Sequence, residues 1–258
     1  MFGIESLPLW LIAYVIVVIM FCGWVQGALG LGFPMIATPL IAAVTNIQFA
    51  VYTVVLPCIA CVIVSIIRSY GFRDVLRRFW WMPFCAIVGA TAGARLFVVF
   101  PEFPYALLLA CVILFYLNME RLGRMEWPLL RRHENLSGIL FGTLAGVFES
   151  TANIAAPPLI IYYLGIGLPP LMLIPAMNIS FFVGKSTQFA TLTASGVGTT
   201  TDWLLTLPLA ALATLACLFG TRIRDRIDGA TYRIWMKRML LAMALVLFAQ
   251  VAYQRWLT

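Results

Sequence analysis

Ten apolar runs, divided by short charged or Gly/Pro/Asn-rich breaks, occupy nearly the whole of this 258-residue chain: 7–28, 33–44, 47–67, 79–100, 105–117, 136–148, 154–164, 168–192, 203–219 and 239–256. A membrane-spanning helix needs about 20 mostly apolar residues, because the hydrocarbon layer is ~30 Å thick and a helix rises ~1.5 Å per residue. Some runs reach that length and others fall short of a full span. The chain is 63% hydrophobic and 10% charged, against roughly 45–50% and 25% in soluble domains. So few charges cannot cover a water-exposed surface. The expected fold is an all-α integral membrane protein with about eight full spans plus broken, hairpin-like segments, up to ten passes. The run 7–28 has no basic segment before it and is too long for a signal-peptide core, so it is expected to be mature structure.

The net charge of +7 does not point to nucleic acid, because the cations gather in loops between apolar runs. Residues 68–78 hold four arginines, 121–132 hold four, and 222–238 hold six basic residues, together 14 of the 17. By the positive-inside rule these three loops are cytoplasmic. Run 79–100 then travels outward and run 203–219 inward, and both chain ends are expected outside. All six cysteines fall in apolar runs, which argues against a disulfide framework.

An internal repeat organises the chain. Gly23 and Gly142, Gly27 and Gly146, and Pro39 and Pro158 share an offset of 119, and a Leu-Ile pair follows each proline. Further on, Pro83 aligns with Pro208, and Gly93-Ala94-Arg95 with Gly220-Thr221-Arg222, at offsets of 125 and 127. The expected organisation is a first transmembrane repeat over 1–118, a cytoplasmic linker over 119–135 and a second repeat over 136–258. Because runs 79–100 and 203–219 travel in opposite directions, the repeats have inverted topology. That architecture places a transporter's substrate site near the midplane, between the halves.

Each repeat opens with a broken apolar helix, QGALGLGFPMIATPL over 26–40 and GVFESTANIAAPPL over 146–159. Glycine lets the backbone turn, and proline interrupts the helical ladder, freeing polar groups that lipid cannot satisfy. Two such breaks would aim helix N-termini and open amides at one point, a setting for an oxyanion. The alternative is glycine serving only close helix packing. The repeated Gly-rich stretch with its Pro-Leu, together with the Gly-Ala-x-x-Arg-like helix ends, resembles the TauE/SafE sulfite exporter family, the 4-toluenesulfonate uptake permease group, over nearly the whole chain. The resemblance implies a cytoplasmic-membrane permease for sulfur-containing or other organic anions, coupled to an ion gradient. Glu149, Ser150, Thr151 and Asn153 stand where that family often carries glycines.

Ionisable residues inside the membrane are costly, at least ~2.5–3.5 kcal/mol on insertion scales, and are usually functional. Lys185 lies mid-run with Asn178, Asn153 and Gln188 as polar neighbours, and either counters a substrate anion or pairs with Glu149. Glu149 is either a proton carrier or a carboxylate capping a helix that starts near Asn153. Arg95 is expected to snorkel to the outer interface. Cys58 and Cys61 form a Cys-x-x-Cys pair, which raises a thiol-disulfide carrier as a second class; the equivalent stretch 175–180 has no cysteine. An anion channel is a third class, although no ring of like charges is present. His133 is expected to be solvated among arginines. No catalytic triad, metal-ligand cluster or phosphate loop appears, so neither an enzyme nor a cofactor is expected.

The candidate site comprises amides and side chains at Gly30, Leu31, Gly32, Phe33, Thr151 and Asn153, completed by Asn178, Lys185 and Gln188, with Glu149 as candidate proton carrier. Its expected ligand is a small sulfur oxyanion such as sulfite, sulfoacetate or another sulfonate; Trp24, Phe33 and Phe148, near the breaks, either meet an organic tail or ring or else face lipid or pack between helices. The apolar outer faces permit a homodimer in the bilayer without requiring one.

Overall fold

A computed structural model describes residues 8–69, 71–100, 128–168, 170–196 and 200–224, with isolated positions 103, 107, 111, 118, 238, 241 and 245. Every regular element among them is helical: α1 Leu9–Leu29, α2 Phe33–Ala42, α3 Ile47–Ile67, α4 Phe72–Arg78, α5 Met82–Val99, α6 Pro128–Arg132, α7 Glu134–Ala152, α8 Ala156–Gly165, α9 Pro170–Ala194 and α10 Thr200–Arg224. Four helices among the described residues are long and apolar enough to cross a membrane: Leu9–Leu29, Ile47–Ile67, Met82–Val99 and Asp202–Ile223. Helices α7 and α9 are long too, with 19 and 25 residues, but they carry most of the buried polar side chains described below. The expected runs 105–117 and 239–256 lie largely outside the described residues.

Apolar side chains cover both faces of these helices. In α1 the inward face buries Leu11, Val15, Val18, Ile19, Cys22 and Val25, while Val17 is 65% exposed and Phe21 45%. Phe84, Val88, Leu215 and Phe219 are likewise exposed on α5 and α10. Helices that are apolar all round, with large aliphatic and aromatic groups outermost, suit lipid and not water.

Two expectations at the basic segments change. Residues 72–78 form α4 instead of an irregular loop, because Asp74 in its first turn and Arg77 and Arg78 in its last complement the helix dipole. Arg222 belongs to α10, which continues to Arg224, and is not in a loop. Its guanidinium sits over the Phe219 ring, 5.1 Å from the centroid, so its apolar stem and ring contact carry it along the helix.

Both expected breaks are present. Helix α1 stops where Gly30 turns left-handed (φ 73°) and its N–H bonds to the Gln26 carbonyl. Gly32 follows at φ 109°, and Pro34 stands in the first turn of α2. Helix α7 stops at Asn153, also left-handed (φ 57°), a conformation that asparagine tolerates better than most residues with a Cβ. Three residues separate Gly27 from Gly30, but seven separate Gly146 from Asn153. Helix α7 therefore runs one turn further before breaking, and Glu149 sits in that added turn.

Small residues bring two helix pairs into backbone contact. A methyl group on Gly27 would lie closer than 3.0 Å to the Cys217 carbonyl and the Thr221 amide, and one on Gly220 would collide with the Trp24 carbonyl, so α1 and α10 touch directly. In the same way Gly146 meets the Ala86 carbonyl and the Ala90 amide, and Gly89 meets the Thr143 carbonyl and the Val147 amide, joining α5 to α7. Contact partners rise together along each pair, Gly23 with Ala213 and then Gly27 with Cys217, so both pairs run parallel. The contacts of Gly27 and Gly146 correspond one for one at a separation of 131, Ala86 to Cys217 and Ala90 to Thr221. The counterpart of Gly220 is thus Gly89. Matching Gly220 to Gly93 is displaced by one helical turn, the slip that small residues spaced by four allow.

Replacing Gly27 or Gly146 by alanine should lower stability by about 1–3 kcal/mol, because the added methyl meets backbone that cannot yield. Gly142→Ala should do less harm, since the nearest atom there is the flexible Met82 Sδ. Thermal unfolding of the three variants in detergent checks this order; equal melting points would contradict the packing.

Candidate functional site

Both breaks are tied to one helix, α9. At the first, Asn178 donates from Nδ2 to the Gly30 carbonyl (2.6 Å) and to the Ile174 carbonyl (2.8 Å) of its own helix. Gln26 donates from Nε2 to Asn178 Oδ1 (3.1 Å) and to Ser65 Oγ on α3 (3.3 Å). Its own Oε1 accepts the Phe33 amide at 3.0 Å. Gln26 thus closes the turn across Leu31 and Gly32, and Gln26, Leu31, Phe33, Ser65 and Asn178 are all buried. The Phe33 amide, expected to be open to an anion, is already engaged.

At the second break Lys185 is fully buried, 0% exposed. Its ammonium donates to Asn153 Oδ1, to Gln188 Oε1 (2.8 Å) and to the Glu149 carbonyl (3.3 Å). Three N–H donors therefore meet three neutral acceptors. Glu149 Oε1 lies 3.0 Å from the same nitrogen, close enough for a strong Coulomb attraction, yet neither carboxylate oxygen receives a well-directed hydrogen bond among the described residues. The pair is an ion contact without a matched hydrogen bond. Gln188 Nε2 donates to the Ser150 carbonyl at 2.9 Å, and Asn153 Nδ2 reaches Thr38 Oγ1 of α2 at 2.8 Å. Asn153 consequently joins α7, α9 and α2 at one point.

Asn153, Lys185, Gln188 and Glu149, expected together, are together. Asn178 is not their neighbour: it is seven residues before Lys185 on α9, about 10 Å along the axis, and serves the first break. The Thr151 hydroxyl turns back to the Val147 carbonyl at 2.8 Å, and the amides of Asn153 and Ile154 both close on the Phe148 carbonyl. The helix ends have consumed these amides, so side chains carry the polar chemistry. The idea of Glu149 capping a following helix also fails, because Glu149 lies inside α7 and Asn153 terminates that helix.

Gln26, Thr38 and Ser65 were not singled out from sequence. Gln26 had the needed signal, a lone amide within an apolar run directly before Gly27. Arg95 is exposed on α5 and lines an open groove with Thr91, Ser186, Thr187 and Thr191, apart from the Lys185 cluster. His133 is exposed at the start of α7. Cys58 and Cys61 are buried on α3, and the Cys217 thiol lies 3.7 Å from the Cys61 carbonyl. The second half therefore brings a thiol to this pair from α10, whereas the equivalent stretch of α9 has none.

Removing one partner of a buried ion pair strands the other, at a cost of about 3–5 kcal/mol. Lys185→Met alone should destabilise the protein by that order, and adding Glu149→Gln should recover much of the loss. A double-mutant cycle by thermal unfolding measures this; additive losses would mean that the two groups do not interact.

The family model described as Sulfite exporter TauE/SafE matches residues 15–247. No curated protein and no solved structure shows significant similarity to the chain.

Proposed function

This chain belongs to the sulfite exporter TauE/SafE family of membrane transporters, and we propose that it carries a small sulfur oxyanion, such as sulfite, sulfoacetate or another sulfonate, across the cytoplasmic membrane by alternating access. The observation that carries this reading is Lys185, a fully buried cation set at a helix break among Asn153, Gln188 and Glu149. A buried charge with a carboxylate partner of imperfect geometry is a poor device for stability alone. It is a good one for receiving an anion.

The parallel helix pairs support an inverted repeat. With the basic segments placed on the cytoplasmic side, α5 runs outward and α10 inward. Their parallel partners follow, α7 outward and α1 inward, so the two broken helices enter from opposite faces. The first break then lies in the cytoplasmic half and the second in the outer half, with α9 spanning between them. Substrate would sit between the breaks, with Lys185, Asn153 and Gln188 on one side and Asn178 and the 30–33 turn on the other. Rocking of the α1–α10 pair against the α5–α7 pair would open each side in turn. Glu149 is the candidate proton carrier for coupling to the proton gradient.

A ligand that binds only the native state raises its melting point by mass action. Among sulfite, sulfoacetate, an aryl sulfonate, a plain carboxylate and sulfate, at least one sulfur oxyanion should stabilise the purified protein. Lys185→Ala and Asn153→Ala should abolish that shift; wild-type shifts in both variants would remove this site from the account.

A further inference from the structure

We propose that the Glu149 carboxylate is a tethered stand-in for the substrate, occupying the place beside Lys185 that a monoanionic sulfonate takes, so that each anion binds only as Glu149 accepts a proton. The inference rests on the anion-permease reading above and adds to it a stoichiometry and a preference for charge.

The geometry has three parts. Lys185 directs its three N–H groups at neutral acceptors, leaving the carboxylate held at 3.0 Å by charge alone. That contact is easily exchanged for another anion, because no directed hydrogen bond is lost. The carboxylate oxygens are buried with no other donor among the described residues, so nothing else keeps the charge in place. Finally, the stem of Glu149 lies against Gly184, where a methyl group would come 3.1 Å from Cγ. The absence of a side chain there leaves the stem a smooth surface along which to move.

Charge balance does the rest. Two anions beside one cation in a low-dielectric site repel more than the single cation compensates, and the cheapest relief is protonation of the carboxylate. The site thus goes from Lys185 cation with Glu149 anion to Lys185 cation with bound anion and neutral Glu149, taking one proton from solvent and keeping its net charge. The titratable groups facing Glu149 are Lys185 from α9 and the Cys58 thiol from α3. Of the helices packed on α7, α5 carries the exposed Arg95 and the half-buried Cys85, α6 carries the exposed Arg131 and Arg132, and α8 carries Tyr162 and Tyr163 as its titratable groups. Transport of a monoanion with one proton is electroneutral. A dianion such as sulfate or fully ionised sulfoacetate would leave an uncompensated charge and is disfavoured, which narrows the proposed substrates to monoanions such as hydrogen sulfite or a simple sulfonate.

The test is calorimetric titration of the purified full-length protein with methanesulfonate, which stays ionised across the range, from pH 5.5 to 8 in buffers of different ionisation enthalpy. Proton uptake favours binding at low pH. The wild type should take up about one proton per anion once Glu149 is ionised, with affinity falling about tenfold per pH unit there. Glu149→Gln should take up none, bind with no pH dependence, and be at least tenfold tighter than wild type at pH 8. Wild-type binding without proton uptake, or a Glu149→Gln profile that keeps the wild-type slope, overturns the stand-in while leaving the permease reading intact. No methanesulfonate binding by wild type at any pH overturns the stand-in, and overturns the permease reading too when none of the other sulfur oxyanions raises the melting point. Should Glu149→Gln not fold, the wild-type proton count and its preference for methanesulfonate over sulfate decide alone: no proton uptake, or equal binding of sulfate, rejects the inference.

Discussion

A cation buried at 0% exposure inside an apolar helix bundle dictates what can surround it, and Lys185 does so here. Its three donors need three acceptors, supplied by Asn153, Gln188 and the Glu149 backbone. Asn153 is available only because α7 ends there in a left-handed turn, and that turn in turn reaches Thr38 on α2. The break, the ion pair and the contact between the two halves are thus one arrangement. Seven residues earlier on α9, Asn178 performs the matching task at the other break with neutral groups alone. One helix therefore senses both broken segments, which is what a carrier needs if opening one side is to exclude opening the other.

The remainder of the bundle leaves this centre room to form. Glycine-mediated contacts place α1 directly on α10 and α5 directly on α7, an economical way to join helices where burying apolar surface gains little because lipid is equally apolar. Each pair joins one broken helix to a long apolar span. Most of the polar interior then falls on α7 and α9, with Gln26 of α1, Thr38 of α2 and Ser65 of α3 reaching into it.

Much of this was legible in the sequence. The apolar runs, both breaks and the meeting of Lys185 with Glu149, Asn153 and Gln188 follow from charge cost and helical spacing. The rest depended on details that one-dimensional periodicity does not carry. An offset of 119 aligns the glycines of α1 and α7 and also Pro39 with Pro158, but those prolines stand seventh in α2 and third in α8, because α7 adds a turn containing Glu149. A small-residue pattern repeating every four positions fits α5 to α10 in more than one register: Gly89 and Gly93 both meet the α7 backbone, and the contacts of Gly89 are the ones that correspond to those of Gly220. Of the amides expected to await an anion, those of Gly30 and Phe33 are taken by the Gln26 carbonyl and side chain, and that of Asn153 by its helix end. Which backbone groups a broken helix leaves open depends on its turn geometry and not on its glycine content.

A carrier whose Lys185 site faces each side in turn exchanges bound anion across the membrane without net flux. Substrate counterflow in proteoliposomes tests it most directly: labelled aryl sulfonate outside, an excess of the unlabelled anion inside, and Lys185→Ala alongside. Such a carrier gives transient uptake of label above equilibrium, saturable and absent from the variant. Uptake that never exceeds equilibrium and does not saturate would identify a channel, and counterflow undiminished in Lys185→Ala would place the substrate elsewhere.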